Sequence, residues 1–393
     1  MISPTSPNWT RPLGPTGLAV SAVCVGGAPL GSMPENFGYE VAYQDAVTLV
    51  RTILESPIRW IDTANSYSGG ESERRIGDGI AAYGGLPADF LIATKVDAKG
   101  KDYSGDRVRA SVHESKERLR LPHLPLVYLH DPEYHNFDEL SGAGGAIEAL
   151  QALKSAGEIG HIGLAGGNVH EMSRYLALGV FEVILIHNRW TLVDRSAGLL
   201  IQQARQHGVA VVNAAIYGGG ILAQPRDQTT YGYQPATQET LNAVGAMDEV
   251  CQRAGTSLAA AALQASVSDP SVDATIVGIS KPTRLQQLHA GLSQELPAEL
   301  FARLDGLDEL AGLPTTELNE EPPCRPSRQT SSGAARPRPI RWRARWPKTV
   351  AAPASGTPSR TPPAPLPTAR PVTSPTTTTT DTPGTSRSSR ISG

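Results

Sequence analysis

Val23-Cys24-Val25-Gly26-Gly27-Ala28-Pro29-Leu30-Gly31 is the stretch on which the fold turns. A short apolar run ends in two glycines, as the first strand of an α/β protein does. A doubly wound open sheet would follow such a strand with G-x-G-x-x-G and a helix. Here Pro29 stands where that helix has to start, so the open sheet becomes the lesser reading. Further short apolar runs recur outward from it, at Arg59–Ile61, Leu91–Thr94, Leu126–Leu129, His161–Leu164, Val183–Ile186, Ala210–Asn213 and Ala274–Val277. With Val23–Val25 they make eight. Each is too short and too apolar for a half-exposed hairpin strand, and reads as buried in a parallel sheet.

Helical patterns lie between them. Ala46, Leu49, Val50, Ile53 and Leu54 fall on one face of a helix, as do Val108, Val112, Ser115 and Leu119, with Ser104 or Asp106 near the N-cap. Ala197, Leu200, Ile201 and Ala204 repeat the pattern ahead of the stop His207-Gly208, and Leu300, Phe301, Leu304 and Leu307 close the set. Eight strands alternating with about eight helices over residues 20–310 predict an α/β fold, a (β/α)8 TIM barrel. Arg11 to Ser21, with Gly14 and Gly17 bracketing a turn, reads as an N-terminal β-hairpin plugging the barrel.

Composition divides the 393 residues in two. Residues 1–313 carry a net charge of −11, while residues 314–393 carry +8 and hold 16 of the 32 prolines. The first part is expected to be the barrel. The second, with Arg336-Pro337-Arg338-Pro339 and Pro/Ser/Thr tracts ending in Thr376–Thr380, is expected to be a disordered tail, because it lacks apolar surface to offset chain entropy. The tail's Arg341-Trp342-Arg343-Ala344-Arg345-Trp346 run could touch nucleic acid or acidic lipid. The acidic barrel argues against nucleic-acid binding. No apolar run is long enough to span a membrane, and Met1 to Pro15, with no apolar stretch after a basic patch, are not expected to be a secretory signal. Cys24, Cys251 and Cys324 are too scattered for a disulfide framework or a zinc site. The expectation is a cytoplasmic protein without metal.

A barrel of this type places its active site at the C-terminal ends of the strands. The polar groups that follow the strands include Asp62 and Tyr67, then Lys95, then His130. Taken singly, each has an ordinary structural use as a cap, a loop residue or a paired charge. Together, at the ends of three successive strands, they make a coherent acid–base group. A phenol with a reference pKa of about 10 must drop by ~3 units, worth ~4 kcal/mol, to work near neutrality. A buried ammonium can supply that shift, and Lys95 is the candidate. The ammonium needs a counter-ion, which Asp62 can be. His130 can donate to a substrate carbonyl. The reaction these residues suit is hydride transfer between a nicotinamide and a carbonyl, with Tyr67 as general acid/base.

Asp62-Thr63-Ala64-Asn65-Ser66-Tyr67, Gly70-Glu71-Ser72-Glu73, Lys95 and His130-Asp131-Pro132-Glu133 together resemble the aldo-keto reductases. So do Leu13 to Leu18 and Gly26 to Gly31. Within that family, Ser72 to Gly77 and Asn188 to Asp194 are most similar to the sugar-oxidising branch, the L-fucose (D-threo-aldose) and L-galactose dehydrogenases. The resemblance covers roughly residues 10–310. It implies a TIM barrel, NADP or NAD as cofactor, and a small-molecule carbonyl or sugar as substrate. It also implies cofactor contacts at Gly27, at Asn168 for the carboxamide, and at His187, which takes the place of a glutamine. Gly167 stands where the family usually has serine before that asparagine. The aromatic ring that stacks on the nicotinamide falls by register at Ala214, with Tyr217 as its substitute. Gly218 and Gly220 read either as a flexible loop or as close approach to the pyrophosphate. Ser280, Lys281 and Arg284 match the phosphate-binding loop, and an arginine there tilts the choice toward NADP. Leu288 occupies the place of an adenine-contacting asparagine. The alternative function is a non-catalytic, nicotinamide-sensing regulatory subunit on the same fold.

Overall fold

The computed structural model describes residues 2–232 and 234–307. Eight parallel strands form a closed barrel: Val23–Gly26, Trp60–Asp62, Leu91–Val96, Leu124–His130, Ile159–Gly166, Val183–His187, Ala210–Ala214 and Ala274–Gly278. The last strand closes on the first in register, from Thr275 opposite Val23 to Gly278 opposite Gly26. All eight expected runs are strands. The second is shifted by one residue, to Trp60–Asp62, and the largest difference is at the fifth, Ile159–Gly166, which extends two residues beyond the expected run at each end. The expected tail, residues 314–393, lies outside the described residues.

The period-2 alternation of a strand divides the core into two layers. Cys24, Trp60, Leu91, Ala93, Leu126, Tyr128, Ala165, Val183, Leu185, Val212 and Ile276 fill the barrel interior. Their neighbours Val23, Val25, Ile61, Ile92, Val127, Leu164, Ile184 and Val211 face the helices. Tyr128 can lie inside because its register partner Gly163 has no side chain, and a Cβ there would sit 2.3 Å from the ring. Two residues further along these inner rows come Asp62, Lys95, His130 and His187. The alternation that builds the core thus delivers polar groups to the C-terminal rim.

The helices form where the apolar spacing places them. Tyr43–Glu55 buries Ala46, Leu49, Val50, Ile53 and Leu54. Gly105–Leu119 starts at Ser104, whose side chain accepts from the Arg107 amide. Gly198–Gln206 buries Leu200, Ile201 and Ala204, and Ala298–Asp305 buries Leu300 and Leu304. No helix among the described residues is long and apolar enough to cross a membrane.

The N-terminal hairpin pairs Thr10–Pro12 with Ala19–Ser21. Its turn drives Leu13 and Val20, both fully buried, into the interior cluster. Burying a leucine contributes about 1.5–3 kcal/mol. Gly14 is required there on two counts. Its φ is +52°, and a Cβ would lie 2.8 Å from the Ala210 Cβ.

Candidate active site

Lys95 ends the inner row Leu91-Ala93-Lys95 and is 2% exposed. Its ammonium donates to Asp62 Oδ1, to the Thr63 carbonyl at 2.7 Å and to the Tyr67 hydroxyl at 3.5 Å. An ammonium has three hydrogens, so these acceptors use them all. Burial alone would lower the lysine pKa, but the Asp62 charge and hydrogen bond, with the Tyr67 and Asp97 charges, together outweigh it and hold Lys95 above its ordinary value. Burial likewise pushes the Asp62 carboxyl up, against the pull of the ammonium.

Tyr67 reaches this pair from the turn Tyr67–Gly70, which bends through left-handed backbone at Ser68, Gly69 and Gly70. Gly70 is needed for its φ of +93° and because a Cβ would strike the Arg118 guanidinium at 2.4 Å. Arg118 in turn clasps the loop, donating to the Asn65 carbonyl at 3.0 Å and to Glu73 at 3.1 Å. Ser72 donates to the Gly27 carbonyl at 2.7 Å. The Gly70-Glu71-Ser72-Glu73 motif is therefore the scaffold that fixes the height of Tyr67. The phenol ring lies 5.7 Å from the His130 ring, edge to face at 76°.

His130 closes the group from the fourth strand. Its Nδ1 lies 2.6 Å from Asp97 Oδ1, and its Nε2 is 3.7 Å from Asp131. Burial alone would lower the imidazole. The Asp97 and Asp131 charges outweigh it, with Lys95 opposing them, and His130 sits above its ordinary pKa. Asp97 had not been picked out from the sequence. The signal was the same alternation, since Asp97 continues the inner row one step past Lys95, just beyond the strand end.

The residues expected to meet a cofactor are placed unevenly. Gly27 is packed, donating its amide to the Asp62 carbonyl at 2.7 Å, with a Cβ position 3.1 Å from Ile76. Asn168 caps the helix Val169–Leu176, its Oδ1 accepting from the amides of His170 and Glu171. Ala214 ends the seventh strand, and Tyr217 is half-buried just before the left-handed Gly218–Gly220 turn. A Cβ on Gly218 would lie 2.4 Å from the Tyr231 ring, whereas one on Gly220 would meet nothing closer than 3.8 Å. Ser280 leads into the helix Pro282–Ser293, and Lys281 and Arg284 are exposed at its start. Leu288, at 4% exposure, belongs to the core.

His187 ends the sixth strand with its Nε2 3.4 Å from Asp131. Asp131, Glu133 and His187 bring one ligand-type atom each within 4.8 Å of one another, an acid-rich corner the sequence reading did not anticipate. Glu133 Oε1 accepts from the Gly167 and Asn168 amides at 2.7 and 3.1 Å. Glu133 Oε2 and the Asn188 Oδ1 are buried with no protein donor. Gly167 and His187, the two departures from the family's usual pattern, depend on one another. A Cβ at 167 would lie 2.5 Å from the His187 ring. Gly167→Ser is therefore expected to cost about 1–3 kcal/mol by overpacking, read from urea unfolding, and adding His187→Gln should recover most of it. Strictly additive losses in the double-mutant cycle would refute the dependence.

A family model described as "Aldo/keto reductase family" matches residues 22–309. L-galactose dehydrogenase of Arabidopsis thaliana is 32% identical over 313 residues, which cover 76% of this chain and 95% of the relative. D-threo-aldose 1-dehydrogenase of Pseudomonas sp is 28% identical over 319 residues, covering 73% and 94%. Among solved structures, the holo form of an aldo-keto reductase from Bacillus halodurans matches with a TM-score of 0.61 at 23% identity, over 76% of this chain and 95% of that one. That last likeness is one of fold.

Proposed function

The chain belongs to the aldo/keto reductase family and is an NAD(P)-dependent oxidoreductase; from that premise we propose that it oxidises a sugar hemiacetal at its hydroxyl-bearing carbon, or reduces the matching aldehyde or ketone, with Tyr67 as general acid/base. The observation that carries this reading is the Lys95 ammonium, whose three hydrogens go to Asp62, Thr63 and Tyr67. A cation in contact favours the ionised phenol. Tyr67 accepts from Lys95, so the proton it would give to a substrate oxygen is its own hydroxyl hydrogen. In reduction the carbonyl carbon receives a hydride and the oxygen takes the phenol proton, leaving a phenolate beside Lys95. In oxidation the phenolate takes the hydroxyl proton while the carbon gives up its hydride. His130, Asp62 and Lys95 complete the group by orienting the oxygen and balancing charge.

The dinucleotide supplies or accepts that hydride when bound. The residues present fit it. Glu133 Oε2 and Asn188 Oδ1 are buried acceptors without protein donors beside His187, and a carboxamide NH2 brings two hydrogens to such a place. Asn168 keeps its side-chain NH2 for the same group. Tyr217 offers a ring, and the Gly218–Gly220 turn lets backbone come close to a phosphate. Ser280, Lys281 and Arg284 sit at a helix N-terminus, where anions are favoured. An exposed arginine there pairs a 2′-phosphate bidentately, so we assign NADP ahead of NAD. Arg284→Ala should weaken NADP binding by about tenfold, roughly one charge-assisted pair, and leave NAD within twofold. Equal losses for both would remove the assignment.

The substrate class is taken from the sugar-acting relatives and from the two acid–base partners available to a hydroxyl, Tyr67 and His130. An absorbance screen at the reduced-nicotinamide band, with both cofactors, against aldoses and small aldehydes tests it. Turnover with aldoses is expected. Cofactor binding with no turnover on any of them would leave the sensor as the better reading.

A further inference from the structure

Both carboxylate oxygens of Asp97 have fixed partners. Oδ2 accepts from the Ser66 backbone amide at 2.8 Å, and Oδ1 faces His130 Nδ1 at 2.6 Å. The carboxylate is held below its ordinary range. Burial alone would raise it, but the His130 charge and the donors from His130 and Ser66 outweigh burial. An ionised carboxylate can only accept, so the hydrogen on this contact belongs to Nδ1. A neutral imidazole has one such hydrogen. With it on Nδ1, Nε2 presents a lone pair, and an N–H appears there only in the imidazolium.

We propose that Asp97 is a positioning residue that sets the tautomer of His130, so that neutral His130 accepts a hydrogen bond from a substrate hydroxyl and only the imidazolium donates one to a substrate carbonyl. This rests on the hydride-transfer reading above and deepens it. The two reaction directions then depend on His130 in opposite senses. Oxidation gains as pH rises through its titration, and reduction loses. The charged and titratable groups facing His130 are Asp97 at Nδ1, Asp131 at Nε2, Lys95 and Asp62 from the neighbouring strands, and Tyr67 at the ring edge. Tyr103 holds the backbone, its hydroxyl accepting from the His130 amide at 2.9 Å and donating to the Val96 carbonyl at 2.6 Å. The same carboxylate carries Ser66, the residue before Tyr67, so one side chain ties the tautomer of the histidine to the position of the phenol.

Asp97→Asn separates this from a merely structural role. The Ser66 amide remains a donor, so the asparagine oxygen turns to it and the NH2 faces Nδ1. Nδ1 then becomes the acceptor and the hydrogen moves to Nε2, as expected when an amide replaces a tautomer-fixing carboxylate. Two readouts follow. Long-range ¹⁵N–¹H spectra, above the His130 titration and with the His130 signal identified by its loss in His130→Gln, should show Nδ1–H in the wild type and Nε2–H in Asp97→Asn. In kinetics, kcat/KM for oxidation should fall at least tenfold in the variant, while reduction keeps more of its rate on the alkaline side than the wild type does. Nε2–H in the wild type, an unchanged tautomer in the variant, or equal loss in both directions with unaltered pH profiles would overturn the proposal. The spectra need no turnover. Absence of nicotinamide chemistry would sink the functional reading alone, and the tautomer would still decide the part played by Asp97.

Discussion

Tyr67→Phe should lower kcat by about 10²–10⁴, the usual contribution of a positioned acid–base group, with the dissociation constant of the reduced dinucleotide within twofold of wild type. The substitution removes one oxygen from a half-buried ring. Its scaffold of Gly70, Ser72, Glu73 and Arg118 is untouched, so the turn should keep its shape. Lys95 loses only its longest contact, at 3.5 Å, and keeps Asp62 and Thr63. Stopped-flow hydride transfer and a fluorescence titration of cofactor binding separate the two quantities. Retention of the wild-type rate would remove Tyr67 as the acid.

Lys95→Met is expected to be worse, because it damages the fold and the chemistry together. Asp62 is 4% exposed, and the Lys95 ammonium donates to its Oδ1. Removing the ammonium leaves a buried carboxylate uncompensated, at a cost of about 3–5 kcal/mol. The midpoint of urea unfolding should fall accordingly, and activity should vanish. Asp62→Asn added to Lys95→Met should recover most of the lost stability, since a neutral pair has no stranded charge, yet recover no activity. A single variant as stable as wild type would mean that water reaches Asp62 and that the pair is less enclosed than its burial indicates.

The barrel was legible because its strands are buried on both faces, and short apolar runs such as Leu126–Leu129 have no other comfortable use. Asp62, Lys95 and His130 were legible as polar residues placed directly after such runs, and the same rule found His187. Asp97 was missed because Val96 separates it from Lys95 and nothing local marks it as facing inward, while a strand keeps aiming every second residue inward until its backbone turns away. Glu133 is legible in the sequence only as part of the His130-Asp131-Pro132-Glu133 motif. Its contact with the Gly167 and Asn168 amides spans 34 and 35 positions, which local pattern cannot reveal. The mutual dependence of Gly167 and His187 was hidden for the same reason, since each looked like a separate departure until the distance between them was known.

The hairpin at the barrel floor governs traffic. With Leu13 and Val20 corking one end and Trp60 and Tyr128 packed in the interior, ligands are expected to enter and leave from the C-terminal ends of the strands. Whichever ligand lies deeper has to arrive first and depart last, so steady-state kinetics should follow a compulsory order rather than a random one.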